Sequence, residues 1–233
     1  MIKIIDPLND GKSKVELLEW MGGDLSVVND ARASFDCLSK EMTDRDRKLI
    51  DYLIKHEHWS PFRSTVFKFR VKAPIFVCRQ WWKHAIASSH LTEQVSHNER
   101  SFRYTEIDEG GEFYVPMQFL TQSTSNRQAS CGLLNPGDNS EAIAIYQSQC
   151  EVSFAAYREL IEMGVSREQA RGILVPTVYT TWVWTVSLQA LLNFISLRTG
   201  EGAQGEIAKY ASAIQDLISD IVPVTLESWE KKL

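Results

Sequence analysis

One stretch of the chain concentrates the residue types that chemistry on a small anionic molecule requires. Between positions 79 and 104 it reads RQWWKHAIASSHLTEQVSHNERSFRY. Cationic side chains, an amide, hydroxyls and aromatics are interleaved there, a mixture that can hold a phosphate through forked, charge-assisted hydrogen bonds while enclosing a planar ring. Ser101 and Arg103 stand two positions apart, so an extended chain turns both to one side and lets them reach one phosphate. The stretch carries four bases, Arg79, Lys83, Arg100 and Arg103, against two acids, Glu93 and Glu99, in a chain of formal net charge −5. Three of the five histidines, His84, His90 and His97, also fall within it. By spacing alone, the same residues read equally well as a solvated charged face beside core tryptophans.

The elements that must position this stretch are written in its flanks. Thr43 to His56 reads as a helix, with Leu49, Ile50, Leu53 and Ile54 on one apolar stripe. Thr65 to Val71 alternates, Phe67, Phe69 and Val71 against Val66, Lys68 and Arg70, which is the period of a strand with one buried face. Pro74 then opens a helix carrying Ile75, Phe76, Arg79, Gln80, Lys83 and His84. The segment from Thr121 to Ser140 is rich in Ser, Thr, Asn, Gln and Gly, with Asn-Pro-Gly-Asp at 135–138, and reads as a mobile surface loop. A helix is expected from Glu141 to Met163, stopped at Gly164, and Ser166 with Gln169 resembles a capping box opening another. Val178 to Val186 favours a strand. Leu188, Leu191, Leu192 and Ile195 give a further helical stripe, and Ala203 to Ile221 another. The pattern predicts an α+β fold, a small antiparallel or mixed sheet flanked by helices, in a single domain over residues 1–233.

Composition narrows the function classes. With 233 residues and 44% hydrophobic content the chain can bury a full core. No run approaches the ~20 apolar residues of a membrane-spanning helix, and the N-terminus MIKIIDPLNDGK lacks the apolar segment of a secretory signal, so a cytoplasmic protein without membrane partners is expected. Cys37, Cys78, Cys131 and Cys150 form no C-x-x-C pair and read as reduced, ordinary thiols. His56-x-His58 lacks a third ligand at a recognisable spacing, so no metal is expected. The acidic balance argues against a general nucleic-acid surface.

RQWWKH (79–84) and NERSFRY (98–104) resemble the two halves of the signature of the flavin-dependent thymidylate synthases, the ThyX family. That signature runs arginine-histidine-arginine, a serine, asparagine-glutamate, a serine, then arginine-tyrosine. GDLSVVNDARASFD (23–36), LIKHEHWSPF (53–62), FKFRVKAPIFVCRQW (67–81), GVSREQARGILVP (164–176) and TVSLQALLNFISLR (185–198) resemble family segments in the family's order. The resemblance implies a ThyX-like fold and a reductive methylation of dUMP to dTMP. Bound FAD would be the cofactor, methylenetetrahydrofolate the one-carbon donor and NADPH the reductant. It also implies a homotetramer with shared active sites, in which Arg171 serves a neighbour.

Residue by residue, the resemblance implies that Gln80, Lys83, Glu99, Ser101, Arg103, Arg171 and Arg198 hold dUMP. Arg198 would be the catalytic group, placed against the uracil to favour its N3-deprotonated form, since an adjacent guanidinium stabilises the anion. Ser34, His58, Ser60, Lys83, His84, Ile86, Asn98, Glu99, Asn193 and Leu197 would line the FAD and folate space. On the residues alone, His58 is equally a helix-end cap, and Arg171 and Arg198 are equally surface ion-pair partners. The chain departs from the signature at Lys83 and Ala85, which stand where the family has arginines, and by extra residues at 89–97. It departs again at Ser187, Gln189 and Gly202 on the flavin side. His90 or His97 would supply compensating charge if the segment 89–97 folds over the site, and the same segment reads at least as well as a solvent-exposed loop with two ordinary histidines. Hydroxymethylation of dUMP and nucleotide binding without turnover are the alternative readings.

Overall fold

The computed structural model describes residues 3–84, 97–105, 112–126, 130–200 and 203–232. In chain order the elements are β1 (Ile4–Ile5), β2 (Lys14–Met21), α1 (Asp24–Arg32), α2 (Asp44–Lys55), β3 (Val66–Pro74), α3 (Ile75–Trp81), β4 (His97–Glu99), β5 (Leu120–Gln122) and β6 (Ser130–Leu133). Then follow α4 (Pro136–Glu162), α5 (Arg167–Ala170), β7 (Tyr179–Ser187), α6 (Leu188–Thr199), α7 (Gly205–Ile218) and α8 (Pro223–Glu230). Five strands form one sheet in the order β1-β2-β3-β7-β4, and β5 pairs with β6 in an antiparallel hairpin. This is the α+β class the sequence predicts. The chain divides into two compact units, one of Met1–Val71, Trp82–Asn98 and Val183–Leu233, the other of Lys72–Trp81 and Glu99–Trp182.

In the first unit the apolar periodicities hold. Ile50, Leu53 and Ile54 of α2 are buried, as are Phe67, Phe69 and Val71 of β3 and Leu188, Leu191, Leu192 and Ile195 of α6. Thr43 caps α2 in a reciprocal box: Thr43 N–H donates to Asp46 Oδ2 at 2.9 Å while Asp46 N–H donates to Thr43 Oγ1. β2 is linked to α1 through Gly22 at φ +86°, where a Cβ would lie 2.7 Å from Thr65 Oγ1, so only glycine fits. Asp24, at the start of α1, accepts from Val224 N–H at 2.8 Å and from Thr225 N–H at 3.0 Å, satisfying donors at the first turn of α8. Burial pushes its carboxyl above the usual range, against the pull of those hydrogen bonds.

The second unit corrects two expectations. The described residues of 121–140 are not one continuous loop: they hold the end of β5, the strand β6 and the first turn of α4. Asn-Pro-Gly-Asp is a helix start, because Asn135 Oδ1 accepts from Asp138 N–H at 3.0 Å with Pro136 in the first turn, where its missing N–H costs nothing. Asn139 then fixes the chain before the hairpin, accepting from Phe119 N–H at 2.8 Å and donating to Met117 O at 3.2 Å. Ser166 does cap α5, but its hydroxyl meets the Gln169 side chain at 3.4 Å and makes no bond to the helix backbone, so the capping box is incomplete. Helix α4 ends before Gly164 at φ +85°, and Phe154, Tyr157 and Ala170 form a core with Leu160, Ile161, Val165 and Leu174.

Candidate active site

Residues 99–105 carry two arginines, a carboxylate and hydroxyls within one short stretch, and a turn arranges them. Arg100 N–H donates to Thr181 O at 2.8 Å, and beyond it Tyr104 N–H returns to Ser101 O at 3.0 Å. Ser101 Oγ accepts from Arg103 N–H at 3.3 Å, while buried Phe102 anchors the turn. Ser101 and Arg103 are thus brought to one place by a turn and not by an extended chain, and the same turn brings Arg100 with them. The Arg100 guanidinium lies 5.7 Å from the Phe102 ring centre, with its Nε donating to Thr105 Oγ1 at 3.0 Å. Arg103 lies over the Tyr104 ring at 5.4 Å.

These residues border a pocket of ≈ 620 Å³. Arg79 from α3 and Arg171 from the turn after α5 join Arg100 and Arg103 in its lining, so four guanidinium groups face two carboxylates, Glu99 and Glu168. Ile75, Leu174 and Pro176 supply apolar wall. Glu99 Oε1 accepts from Thr180 Oγ1 at 2.9 Å, and Thr180 is only 1% exposed, so one carboxylate oxygen is fixed from below. Burial, and then the charge of Glu99, push the Cys78 thiol up. A thiol held protonated in this way is no nucleophile. All four cysteines are free, Cys78 and Cys150 buried and Cys37 and Cys131 exposed.

The pocket gathers Glu99, Ser101, Arg103 and Arg171 of the residues expected to hold dUMP. Arg171 lines it within the same chain. Gln80 is half-buried on α3, outside that lining. Sequence reasoning counted Arg79 and Arg100 among the bases of this stretch but gave neither a role in the site. It passed over Thr180, a hydroxyl inside an apolar strand.

In the first unit, Arg198 and His84 meet. Arg198 Nε donates to His84 Nε2 at 2.6 Å, and the imidazole stands edge-on to Phe194 with ring centres 5.1 Å apart. Burial, and then the Arg198 charge, lower His84 from its usual value to about 4, so the ring is neutral near pH 7 and carries its proton on Nδ1. Burial lowers Arg198 too. Lys83 and His84 were expected on the helix after Pro74, but α3 stops at Trp81 and residues 82–84 form a 3₁₀ turn. That turn brings His84 to Arg198. Asn193 is half-buried and Leu197, one turn further along α6, is 56% exposed. Asn98 is exposed on β4, and Lys83 is exposed as well.

Ser34 is exposed in the 3₁₀ turn Ala33–Phe35, and Ser60 opens the turn Ser60–Phe62. His58 is exposed, its N–H closing the end of α2 on Leu53 O at 2.9 Å, although the capping residue itself is His56. Ser187 caps α6, accepting from Ala190 N–H at 3.3 Å, and Gln189 accepts from Arg63 Nε at 2.7 Å. Two of the three departures on the flavin side, Ser187 and Gln189, therefore have structural partners. Ile86, His90, Ala85 and Gly202 lie outside the described residues, as does the side chain of His97. Among the described residues no group of histidine, cysteine and carboxylate side chains is placed to hold a metal ion.

Comparison with known proteins bears on this arrangement. The profile of the family described as "Thymidylate synthase complementing protein" matches residues 16–224. The flavin-dependent thymidylate synthase of Kosmotoga olearia is 41% identical over 220 residues, 94% of this chain and 90% of that protein. The chain belongs to the flavin-dependent thymidylate synthase family. The family member of Thermosipho africanus is 38% identical over 98% of this chain and 93% of its own length. Among solved structures, the UMP/dUMP methylase PolB from Streptomyces cacaoi bound with 5-Br dUMP superposes with a TM-score of 0.80 at 30% identity, covering 93% of this chain and 94% of that one. The family match takes in every residue from Ser34 to Arg198 discussed above.

Proposed function

We propose that this protein converts dUMP to dTMP by reductive methylation, with methylenetetrahydrofolate as the one-carbon donor and NADPH as the reductant, and releases tetrahydrofolate and NADP+. The observation that carries this reading is the ≈ 620 Å³ pocket, where Arg103, Arg171 and Ser101 stand beside Glu99 with Arg79 and Arg100 adding charge. Its volume suits a nucleotide-sized ligand, and an excess of guanidinium over carboxylate suits a phosphate. The protein's part is placement and charge. Ser101, Arg103 and Arg171 hold the phosphate end, Gln80 and Lys83 complete the dUMP set, and Glu99 faces both nucleotide and cofactor. Arg198 stabilises the uracil with its N3 proton removed, and no cysteine nucleophile takes part.

The donor set of Ser34, His58, Ser60, Lys83, His84, Asn98 and Asn193, with Leu197 as an apolar member and Ile86 assigned to the set by resemblance alone, fits FAD and folate. Hydroxyls, amides and one ammonium suit a pyrophosphate and a polar ring edge, and Leu197 exposes apolar surface one turn from the Asn193 amide. When bound, the flavin supplies the hydride chemistry that completes the methyl group. The same reading makes the chain one catalytic domain, a homotetramer with active sites shared between chains, and a cytoplasmic enzyme with no nucleic-acid or membrane partner. No described helix is long and apolar enough to cross a membrane. An anaerobic absorption spectrum of the purified protein tests the proposal. The flavin band should bleach with NADPH, and adding dUMP and methylenetetrahydrofolate should yield dTMP by mass. A protein that neither carries nor takes up FAD overturns the reading, and a product one oxygen heavier than dTMP makes it a hydroxymethylase.

A further inference from the structure

We infer that Arg100 is a specificity residue for the substrate's phosphate, a further fork in the pocket beside Arg103 and Arg171. The inference rests on the reading that this pocket takes dUMP. Arg100 stands between Glu99 and Ser101, and in an extended chain it would point away from both Ser101 and Arg103. The turn reverses that. Its N–H is tied to Thr181 O at 2.8 Å, its Nε to Thr105 Oγ1 at 3.0 Å, and its guanidinium lies 5.7 Å from the centre of buried Phe102. A side chain held at both ends of its stem loses little rotamer freedom on meeting an anion, so the terminal edge of the guanidinium acts at small entropic cost.

The charge balance of the pocket points the same way. Arg79, Arg100, Arg103 and Arg171 oppose Glu99 and Glu168, which leaves an excess of two positive charges. A phosphate monoester carries about −1.5 to −2 near neutral pH, so the excess matches it, and without Arg100 the excess is halved. Lys83 and Ala85 supply no guanidinium where the family signature has two. Arg100 supplies one from a position that the signature leaves open.

The experiment uses the full-length, flavin-loaded protein and the variants Arg100→Gln and Arg100→Lys. Affinity for dUMP, affinity for 2′-deoxyuridine, and competition by inorganic phosphate are measured by titration, together with kcat. Loss of one charge-assisted contact should weaken dUMP binding by ~10-fold in Arg100→Gln. Phosphate should compete less well, and 2′-deoxyuridine affinity and kcat should stay as in the wild type. Arg100→Lys should fall between. Should Arg100→Gln fail to fold, Arg100→Lys still decides: it must weaken dUMP and spare 2′-deoxyuridine. Unchanged dUMP affinity overturns the inference. Equal loss of dUMP and 2′-deoxyuridine also overturns it, because that is what a purely structural arginine pinning the turn would give. A wild-type protein that takes up FAD but binds no dUMP removes the dUMP reading itself, whereas wild-type dUMP binding with an indifferent Arg100 removes only this inference.

Discussion

The two units use arginine in different ways. In the second, four guanidinium groups on a turn and two helical segments stand exposed around one pocket, sharing it with two carboxylates. In the first, a single guanidinium, Arg198, is half-buried against a neutral imidazole 2.6 Å away, and burial lowers its proton affinity. Exposed forks act in high dielectric, where each contributes modestly and a sum of several sets the affinity for an anion. A desolvated guanidinium acts over few ångströms in a lower dielectric, where one group can change the charge state of what lies beside it. The first arrangement suits recognition, the second suits chemistry.

The sharpest way to break this division is to remove Arg198. Arg198→Ala should lower kcat by roughly 10²–10³, the scale on which removal of one electrostatic stabiliser acts, while the flavin content of the purified protein stays unchanged. If flavin is lost in proportion to turnover, Arg198 is a structural residue and the comparison fails. Arg103→Lys keeps the charge and removes the fork, and should raise KM for dUMP by ~10-fold with kcat nearly unaltered. Steady-state kinetics on the flavin-loaded variant would show it. A fall in kcat as deep as that of Arg198→Ala would mean that the pocket also takes part in the chemical step.

How far the sequence disclosed this division depends on what carries the signal. Apolar periodicity placed α2, β3 and α6, and β-branched and aromatic content placed β7, because burial is what those residues achieve; Phe67, Phe69 and Val71 are fully buried as their alternation requires. The hairpin of β5 and β6 was illegible because its strands are only three and four residues long and mostly exposed, its leucines Leu120 and Leu133 included, so no alternation could mark them. The Asn135 cap was visible in the letters but was read as a turn, since Asn-Pro-Gly-Asp serves both purposes and only the helix behind it decides. Arg100 shows the limit most clearly. An alternation argument assigns it to the wrong side, and the hydrogen bond from Tyr104 N–H to Ser101 O, which folds the turn, has no sequence signature of its own. The pairing of His84 with Arg198 spans 114 positions and is equally silent in the sequence.

That pairing offers a test on stability. With the folded pKa of His84 near 4 and its unfolded value at 6.5, the folded protein binds fewer protons than the unfolded one between these limits. The contribution is fully present above 6.5 and is lost as pH falls toward 4. The imidazole is only half-buried, so solvent screening discounts the effect to ~1 kcal/mol, or ~2–4 °C in Tm for a chain of this size. Thermal unfolding at two pH values, one above 6.5 and one near 5, should show the wild type losing that much more than His84→Gln, which keeps an acceptor and cannot titrate. Equal losses in the two proteins would mean that the fold does not lower the pKa of His84.

Salt separates the two kinds of arginine with the smallest effect and without any substitution. Raising the ionic strength from ~0.1 M to ~1 M shortens the screening length from ~10 Å to ~3 Å, which weakens interactions among exposed charges far more than those of groups shielded by protein. Arg79, Arg100, Arg103 and Arg171 are all exposed, so their combined attraction for a phosphate dianion should decline. Arg198 is half-buried, and the group it opposes lies within contact distance, so its influence should persist. KM for dUMP is therefore expected to rise roughly threefold across that range while kcat holds steady. Repeating the titration with 2′-deoxyuridine removes the general effects of salt on the protein, because a nucleoside without phosphate has nothing for the four exposed forks to attract. If kcat falls with salt while KM stays fixed, the exposed pocket and the half-buried pair have exchanged the roles assigned to them here.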